Sequence, residues 1–332
     1  MAKFPAEPAI GIVGIGSDAP DGLLTNADLE SLVDTTDEWI VDRTGIKTRR
    51  IADAGTTTSM LASRAAQRAL QDAGIGPEEV DLIIVGTATP DMLFPSTGCL
   101  VQRDLGAVNA AAFDLAAACS GFIYGLNVAA GMIANESCRV ALVIGAETLS
   151  KITDFTDRTT CVLFGDGAGA AVLKRVKPGK GILSSRIYSD GTLGEMLMMP
   201  GGGSLHPPSH ETVDRRLHYI KMNGNNVFKS AVNSMADAVR GVLDDAGIAA
   251  EEIDLFVPHQ ANIRIIEATA KRLGFPMEKV FVNVDRYGNT SAASIPIALD
   301  EARAKGMLRE GQVIAAVAFG SGFTWGSMII RF

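Results

Sequence analysis

One cysteine lies where a thiol could act as a nucleophile. The segment FDL at 113–115 predicts the end of a buried strand, and the apolar run 122–129 predicts a buried helix, with Cys119 in the small-residue turn between them. A thiol at a helix N-terminus meets free backbone N–H groups and the positive end of the helix dipole, which favour the thiolate. An ordinary thiol, with a pKa of about 8.5, is only slightly ionised at neutral pH. We therefore expect a nucleophilic Cys119; the alternative is a small buried hydrophobe, as most free cysteines are.

Two other polar side chains follow predicted strands in the second half of the chain. His259 comes directly after the apolar run 255–258, and Asn289 lies in the glycine turn YGNTS at 287–291. An imidazole and a carboxamide can each donate a hydrogen bond to an oxygen that gains negative charge during a reaction. Taken alone, such a histidine is more often a core residue and such an asparagine part of an ordinary turn. A last glycine turn, GSGF at 320–323, could direct a backbone N–H at the same point.

An internal repeat indicates how these segments are related in the fold. The segment Asp72–Leu82 recurs as Asp245–Leu255 with eight of its eleven positions identical, and FGDG at 164–167 is echoed by FGSG at 319–322. The chain is therefore interpreted as two similar α/β halves, each alternating strand and helix, with mostly parallel sheets covered by helices. Loops at corresponding strand ends of two facing halves would converge on one cleft.

Composition limits the classes of function. The chain has 332 residues, 47% of them apolar, and a net charge of −8, which argues against a nucleic-acid-binding surface. Residues 1–8 lack the apolar core of a secretory signal, and no run reaches the ~20 apolar residues of a membrane span. Four cysteines without CxxC spacing favour the reducing cytoplasm. His206, His210 and His218 are interrupted by prolines, which excludes a helical pair of ligands, so we expect no metal ion.

Five motifs together resemble β-ketoacyl-acyl carrier protein synthase III of the thiolase superfamily. They span nearly the whole chain in the family's order: DEWIVDRTGI (37–46), AACSG (117–121), VPHQAN (257–262), YGNTS (287–291) and FGSGFTWG (319–326). The resemblance implies a thiolase-like α/β fold in which two pseudo-symmetric halves form a layered αβαβα sandwich. We expect residues 1–178 to form the half that carries the cysteine, and residues 179–332 the half that carries the histidine and asparagine.

The resemblance also implies a reaction. A short acyl-CoA starter, such as acetyl-CoA, would acylate Cys119, and malonyl-acyl carrier protein would then lose CO2 and attack the acyl group, initiating fatty acid synthesis. His259 and Asn289 match the two donors to the malonyl thioester carbonyl. The backbone N–H groups of Cys119 and Ser321 match the oxyanion hole; the family more often has glycine at position 321. No cofactor is implied, because acyl-CoA is a substrate.

Further residues match the family's binding positions. Trp39 and Arg158 match the pair that sandwiches the CoA adenine, and Arg43 matches a phosphate contact. Gly224 and Asn262 match positions near the pantetheine arm. Phe94 matches an aromatic residue that crosses a homodimer interface into the partner's acyl pocket. A basic patch for the acidic carrier protein is expected at three positions: Lys229, Arg264 and Arg272.

Related activities remain as alternatives. A degradative thiolase would need a second cysteine in the turn 320–323, and an elongating synthase would need histidine in place of Asn289. A hydroxymethylglutaryl-CoA synthase would need a catalytic glutamate, and neither Glu147 nor Glu195 has the right sequence context. The nearest alternative is a synthase-III-like condensing or acyl-transfer enzyme of secondary metabolism. A more distant one is a non-enzymatic acyl-CoA-binding scaffold.

Overall fold

A computed structural model describes residues 9–332 of the chain. The expectation about a secretory signal rests on residues 1–8 and lies outside the described residues. Within residues 9–332, no helix combines the length and the apolar character needed to cross a bilayer.

The described part of the chain alternates strands and helices along most of its length. The strands are β1 (Ile10–Asp18), β2 (Leu23–Thr25), β3 (Thr48–Arg50), β4 (Leu82–Gly86), β5 (Ala111–Leu115), β6 (Val140–Thr148), β7 (Asp166–Arg175), β8 (Gly181–Ser189), β9 (Leu197–Met198), β10 (Lys221–Met222), β11 (Leu255–Pro258), β12 (Val313–Gly320) and β13 (Thr324–Arg331). The α-helices are α1 (Asn26–Glu30), α2 (Asp37–Thr44), α3 (Thr58–Ala73), α4 (Thr97–Leu105), α5 (Gly121–Ala134), α6 (Arg158–Cys161), α7 (His210–Asp214), α8 (Gly224–Ala246), α9 (Ile263–Leu273), α10 (Val284–Tyr287) and α11 (Ser294–Ala304).

Two large sheets repeat the same strand order. The first runs β1-β7-β6-β4-β5 and the second runs β8-β13-β12-β11, with a further parallel bridge from Phe256 to Val280 at the place of a fifth strand. Both sheets are mixed: β4 pairs in parallel with β5 and β6, whereas β7 is antiparallel to both β1 and β6. The prediction of mostly parallel sheets is therefore wrong. Only three residues link β12 to β13, which is too short for the crossover that a parallel pair requires.

The helices form three layers around the two sheets. Helices α5 and α11 pack between the sheets, α3 and α4 cover the outer face of the first sheet, and α8 and α9 cover the outer face of the second. The central apolar core joins both sheets through buried side chains such as Ile84, Leu126, Ala298 and Ile314. This arrangement confirms the predicted αβαβα sandwich. The proposed boundary at 178/179 falls between β7 and β8, where the chain passes from one sheet to the other.

Strand β5 is not buried as expected. Its residues are partly or largely exposed, and Phe113 keeps 37% of its surface accessible. The reason is position: within residues 9–332, β5 is the edge of the first sheet and β4 is its one paired neighbour. An edge strand with an accessible aromatic side chain is a surface suited to pairing with another chain.

Candidate active site

The three predicted reactive side chains lie around one cavity. Cys119, His259 and Asn289 all line a cavity of about 250 Å³ whose walls are mainly apolar. A larger surface groove of about 910 Å³ contains none of them. The arginines of that groove, Arg64 and Arg68, are paired with Asp18. The smaller cavity is therefore the site at which the expected chemistry could take place.

Cys119 lies in a short 3₁₀ turn, Ala118–Ser120, that leads directly into α5. Only 9% of the residue is exposed. Burial raises the pKa of the Cys119 thiol to about 12, and the negative charge of Glu147 adds to this, although a hydrogen bond from Ser291 acts in the opposite direction. The expectation that the helix N-terminus yields a thiolate at rest is therefore wrong, because desolvation of the charged sulfur outweighs the nearby donors. Deprotonation must accompany the reaction.

His259 is held in a defined orientation at the end of β11. Its backbone N–H donates to the Val317 carbonyl at 2.8 Å, and its Nδ1 lies 2.6 Å from Oγ of Ser294, the first residue of α11. Burial lowers the pKa of the imidazole to about 4, because the loss of hydration disfavours the charged form of the ring. The ring is therefore neutral at pH 7. If Nδ1 accepts the Ser294 proton, Nε2 carries the N–H and becomes the donor available to a ligand.

Asn289 is fixed by both its backbone and its side chain. Its N–H donates to the Leu163 carbonyl at 2.8 Å, and its own carbonyl accepts from Gly165 N–H at 3.0 Å. The side-chain Oδ1 accepts from the Ser291 N–H at 2.9 Å. With Oδ1 engaged, the amide Nδ2 is the group that this side chain can offer to a ligand, and it is a donor.

The last glycine turn comes close to the cysteine. A Cβ added at Gly320 would lie 2.6 Å from the Cys119 backbone nitrogen, so only glycine permits this approach of two backbones. The Ser321 hydroxyl donates to the Leu197 carbonyl on β9. The serine at this position is therefore accommodated by a hydrogen bond to the backbone of Leu197, a residue of the cavity wall.

The expected CoA-binding side chains form a cluster at one end of the cavity. Trp39 and Arg43 line the cavity, and the guanidinium carbons of Arg43 and Arg158 lie 4.9 and 5.0 Å from the Trp39 ring centroid. A spacing of 5.0 Å leaves no room for a base between Trp39 and Arg158. Both arginines are exposed, so Arg158 can move aside, which an adenine sandwich would require.

The two pantetheine-region positions also line the cavity. Gly224 begins α8, and an added Cβ there would meet only ordinary contacts. Asn262 caps α9: its Oδ1 accepts from Arg264 N–H at 2.8 Å and its Nδ2 donates to the Arg43 carbonyl at 2.9 Å. Asn262 thereby joins helix α2, which carries Trp39 and Arg43, to the start of α9.

The remaining predicted positions lie outside the cavity. Phe94 is 84% exposed and does not line this chain's cavity. Lys229 and Arg264 are exposed beside Phe228, a cavity residue whose ring lies 5.8 Å from the Arg264 guanidinium. Arg272 is exposed at the opposite end of α9, roughly 12 Å further along the helix. Two of the three proposed docking cations therefore flank the cavity, and the third does not.

Sequence reasoning missed three polar residues behind the site. Ser294 contacts His259, the Ser291 N–H donates to Asn289, and the Ser291 hydroxyl lowers the pKa of the Cys119 thiol. Glu147, at the end of β6, is fully buried near Cys119. Both serines lie in or just after the YGNTS motif, so the motif was the available signal. For Glu147 no local sequence signal exists, because its partners are distant along the chain.

Among residues 9–332, no three His, Cys, Asp or Glu side chains are grouped so that they could hold a metal ion. The four cysteines are all free thiols. Among the side chains that line the cavity are one thiol, one neutral imidazole and one carboxamide, namely Cys119, His259 and Asn289.

Fold and site together define a condensing enzyme of the thiolase type. Family profiles sharpen this class: "3-Oxoacyl-[acyl-carrier-protein (ACP)] synthase III" matches residues 113–191, and the C-terminal profile of the same family matches residues 243–332. The chain is 58% identical to a β-ketoacyl-[acyl-carrier-protein] synthase III of Caldanaerobacter subterraneus, over 97% of this chain and 98% of that protein. A crystal structure of the 3-oxoacyl-[acyl-carrier-protein] synthase III of Aquifex aeolicus superposes with a TM-score of 0.91 at 50% identity, covering 97% and 100% of the two chains. The chain belongs to the 3-oxoacyl-acyl carrier protein synthase III family.

Proposed function

We propose that this chain catalyses the decarboxylative condensation of a short acyl-CoA, such as acetyl-CoA, with malonyl-acyl carrier protein. The products are β-ketoacyl-acyl carrier protein, CO2 and CoA, and the reaction initiates fatty acid synthesis. The observation that carries the proposal is that Cys119, His259 and Asn289, contributed by both halves, line one cavity. The family assignment supports the same reaction.

In the first half-reaction, Cys119 attacks the acyl-CoA thioester. The acyl carbonyl oxygen gains negative charge, and the backbone N–H groups of Cys119 and Ser321 are the donors proposed to stabilise it. The close approach of Gly320 to Cys119 supports this assignment. A single such donor in a dehydrated site contributes roughly 10²–10³ in rate.

In the second half-reaction, malonyl-acyl carrier protein loses CO2 and leaves a carbanion whose charge is shared with the thioester oxygen. His259 Nε2 and Asn289 Nδ2 are proposed to donate to that oxygen. The neutral imidazole supports this role, since its N–H is a hydrogen-bond donor without a formal charge that would have to be buried. The carbanion then attacks the acyl group on Cys119. These steps are substitutions and a decarboxylation, and they need no redox or metal cofactor.

CoA is proposed to bind along the rim of the cavity formed by Trp39, Arg43 and Arg158, with the pantetheine arm passing Gly224 and Asn262. The arginines supply positive charge for the phosphates, and the indole supplies a surface on which a base can stack. The carrier protein is proposed to dock on the patch of Lys229, Arg264 and Arg272. The position of Arg264 against Phe228, a cavity-lining residue that Lys229 follows in α8, supports docking there.

A homodimer is proposed as the working assembly. The loop before α4 exposes Met92, Leu93 and Phe94, and the neighbouring edge strand β5 exposes Phe113. Apolar side chains beside an unpaired strand edge are suited to contact with a second copy of the chain. Four free thiols support a reducing compartment, the cytoplasm.

The experiment is a product assay with purified chain, a panel of acyl-CoA starters and malonyl-acyl carrier protein, monitored by mass of the carrier protein. We expect β-ketoacyl-acyl carrier protein from at least one short starter, and none from Cys119→Ala. Binding of CoA by Cys119→Ala, measured by calorimetry, controls for folding. Full condensation by that variant would refute the nucleophile assignment, and an enzyme that forms product without a carrier protein would favour a secondary-metabolic activity.

A further inference from the structure

A buried carboxyl group lies behind the reactive cysteine, and the steps proposed above do not use it. Glu147 is completely buried at the end of β6. Its carboxylate accepts hydrogen bonds from Thr89 Oγ1 at 2.6 Å, from Thr87 Oγ1 at 3.3 Å and from Ala88 N–H at 3.1 Å. None of these donors carries a charge. A buried carboxylate held only by neutral donors is costly as an anion, so its presence here calls for an explanation.

Ser291 connects this carboxyl group with the active site. Its hydroxyl lowers the pKa of both the Cys119 thiol and the Glu147 carboxyl group. The turn that Ser291 begins packs against the segments of both groups, and a Cβ added at Gly121, two residues after Cys119, would lie 3.4 Å from the Ala292 Cβ. A hydroxyl has one proton and can also accept, so it can take a proton from sulfur while giving its own to the carboxylate. Its backbone N–H separately fixes Asn289, and its backbone φ is +49°. Ser291 therefore adopts a left-handed backbone conformation, which is uncommon for a residue other than glycine.

The packing around this connection is tight. A Cβ added at Gly145 on β6 would lie 2.1 Å from the Ala292 carbonyl oxygen, so the segment after Ser291 lies directly on the strand that carries Glu147. Cys119, Ser291 and Glu147 are respectively 9%, 3% and 0% exposed. Little water can therefore exchange protons with Glu147 in place of the serine.

Few other titratable groups face Glu147. The loop of Thr87, Ala88 and Thr89 offers only hydroxyl and N–H groups, and the turn after Ser291 has no ionisable side chain. On β7 the register partner of Glu147 is Gly167, next to Asp166, which is itself bound to Ser150 and the Ala52 N–H. The Cys119 thiol is an ionisable group whose pKa Glu147 raises.

We propose that Glu147 takes up the Cys119 proton through the Ser291 hydroxyl during acyl transfer, and returns it by the same path when condensation frees the sulfur. This inference rests on the acyl-transfer function proposed above. Ser291 touches the reacting sulfur, and Glu147 acts through it.

Each half-reaction balances. In the first, the Sγ–H bond breaks, the proton passes to Ser291 as the serine proton passes to Glu147, and Sγ bonds to the acyl carbon. CoA leaves as a thiolate, which takes a proton from water. In the second, the malonyl-derived carbanion bonds to the acyl carbon, the electron pair of the breaking C–S bond stays on sulfur, and the proton returns from Glu147 through Ser291.

The acidities of the two candidate acceptors favour Glu147. Burial raises the pKa of Glu147 to about 7, whereas it lowers that of His259 to about 4. A proton acceptor works best when its pKa lies near the working pH. His259 is therefore the poorer acceptor and is left free to donate to the malonyl oxygen.

The test is the rate of acetyl transfer from acetyl-CoA to Cys119, measured by intact mass from well below to well above pH 7. In the unmodified chain the rate should rise through a pKa near 7, because Glu147 must be ionised to accept the proton. Glu147→Gln keeps the size and should lose this inflection, with a rate at pH 7 lower by roughly 10²-fold. Glu147→Asp, which keeps a carboxyl group, should retain part of the rate and part of the pH inflection.

Ser291→Ala is the second variant, and it keeps the backbone N–H that holds Asn289. It should lose the same inflection, and adding Glu147→Gln to it should cause no further loss. The matched control is Asp166→Asn, which alters another buried carboxylate and should leave the inflection in place. An unchanged inflection and rate in Ser291→Ala and Glu147→Gln would overturn the inference. If the unmodified chain takes no acetyl group at all, it is the proposed function that fails.

Discussion

At the scale of single residues, the surroundings of each reactive group set its acid–base state. Burial opposes charge on both the Cys119 sulfur and the His259 ring, with pKa values of about 12 and about 4. The same burial therefore gives a thiol that must lose its proton during the reaction and an imidazole that stays neutral. Both states suit the two proposed half-reactions, in which sulfur attacks and the ring donates.

The two donors should matter most in the second half-reaction. His259→Ala or Asn289→Ala should slow malonyl decarboxylation by roughly 10²–10³-fold, because each removes one donor to the developing oxyanion. Acetylation of Cys119 should fall much less. Release of CO2 and intact-mass acetylation measure the two steps separately. Equal loss of both steps would point to misfolding or to a different role for these side chains.

Residue types and motifs were sufficient to predict that Cys119, His259 and Asn289 lie around one cavity, but not the environment of each side chain. The helix position of Cys119 suggested a lowered pKa, whereas the burial that raises it depends on the packing of both halves. Ser291 and Glu147 were missed for a similar reason. Their contact joins two segments far apart along the chain, and no spacing in the sequence encodes it.

At the scale of elements, loops at corresponding ends of the two sheets build the site. The turn before α5 carries Cys119, the end of β11 carries His259, and the turn before α11 carries Asn289. The two central helices α5 and α11 begin at these turns, so the central layer fixes the distance between the nucleophile and the donors. The outer helices α8 and α9 contribute further residues to the cavity wall.

Charge reversal on α8 and α9 tests the proposed docking patch. Lys229→Glu with Arg264→Glu should raise KM for malonyl-acyl carrier protein by about tenfold, because attraction to an acidic partner becomes repulsion. Acetyl-CoA priming should change little. The matched control is Lys177→Glu, which reverses an exposed charge in the loop between β7 and β8. Arg272→Glu, at the far end of α9, should raise this KM less than the double substitution does. If the double substitution leaves KM unchanged, the docking surface lies elsewhere.

At the scale of the whole molecule, the internal repeat was a reliable guide to architecture. The duplicated segment predicted two halves, and the two sheets indeed share one strand order. The repeat could not give strand direction, because the short β12–β13 connection had no clear signal in the sequence. Nor could it identify β5 as an edge, since which strand is outermost depends on the order of the finished sheet.

Assembly is the other whole-molecule property. Sedimentation equilibrium should give twice the 34.8 kDa chain mass. Phe94→Ala should weaken self-association by roughly 30-fold, the effect of losing about 2 kcal/mol at a well-packed apolar anchor, and should also lower acyl transfer if Phe94 enters the partner's pocket. Leu32→Ala, another exposed apolar side chain, is the control. A monomeric unmodified chain with full activity would contradict the dimer proposal.

The proposed reaction depends on one sulfur that carries the acyl group between two substrates. The most direct measurement is intact-mass spectrometry of the purified chain after acetyl-CoA is added, followed by peptide mapping and then by malonyl-acyl carrier protein. We predict one acetyl group on the Cys119 peptide, and its disappearance as acetoacetyl-acyl carrier protein forms. A chain that gains no acetyl group, or that holds it on another residue while still forming product, would contradict the account.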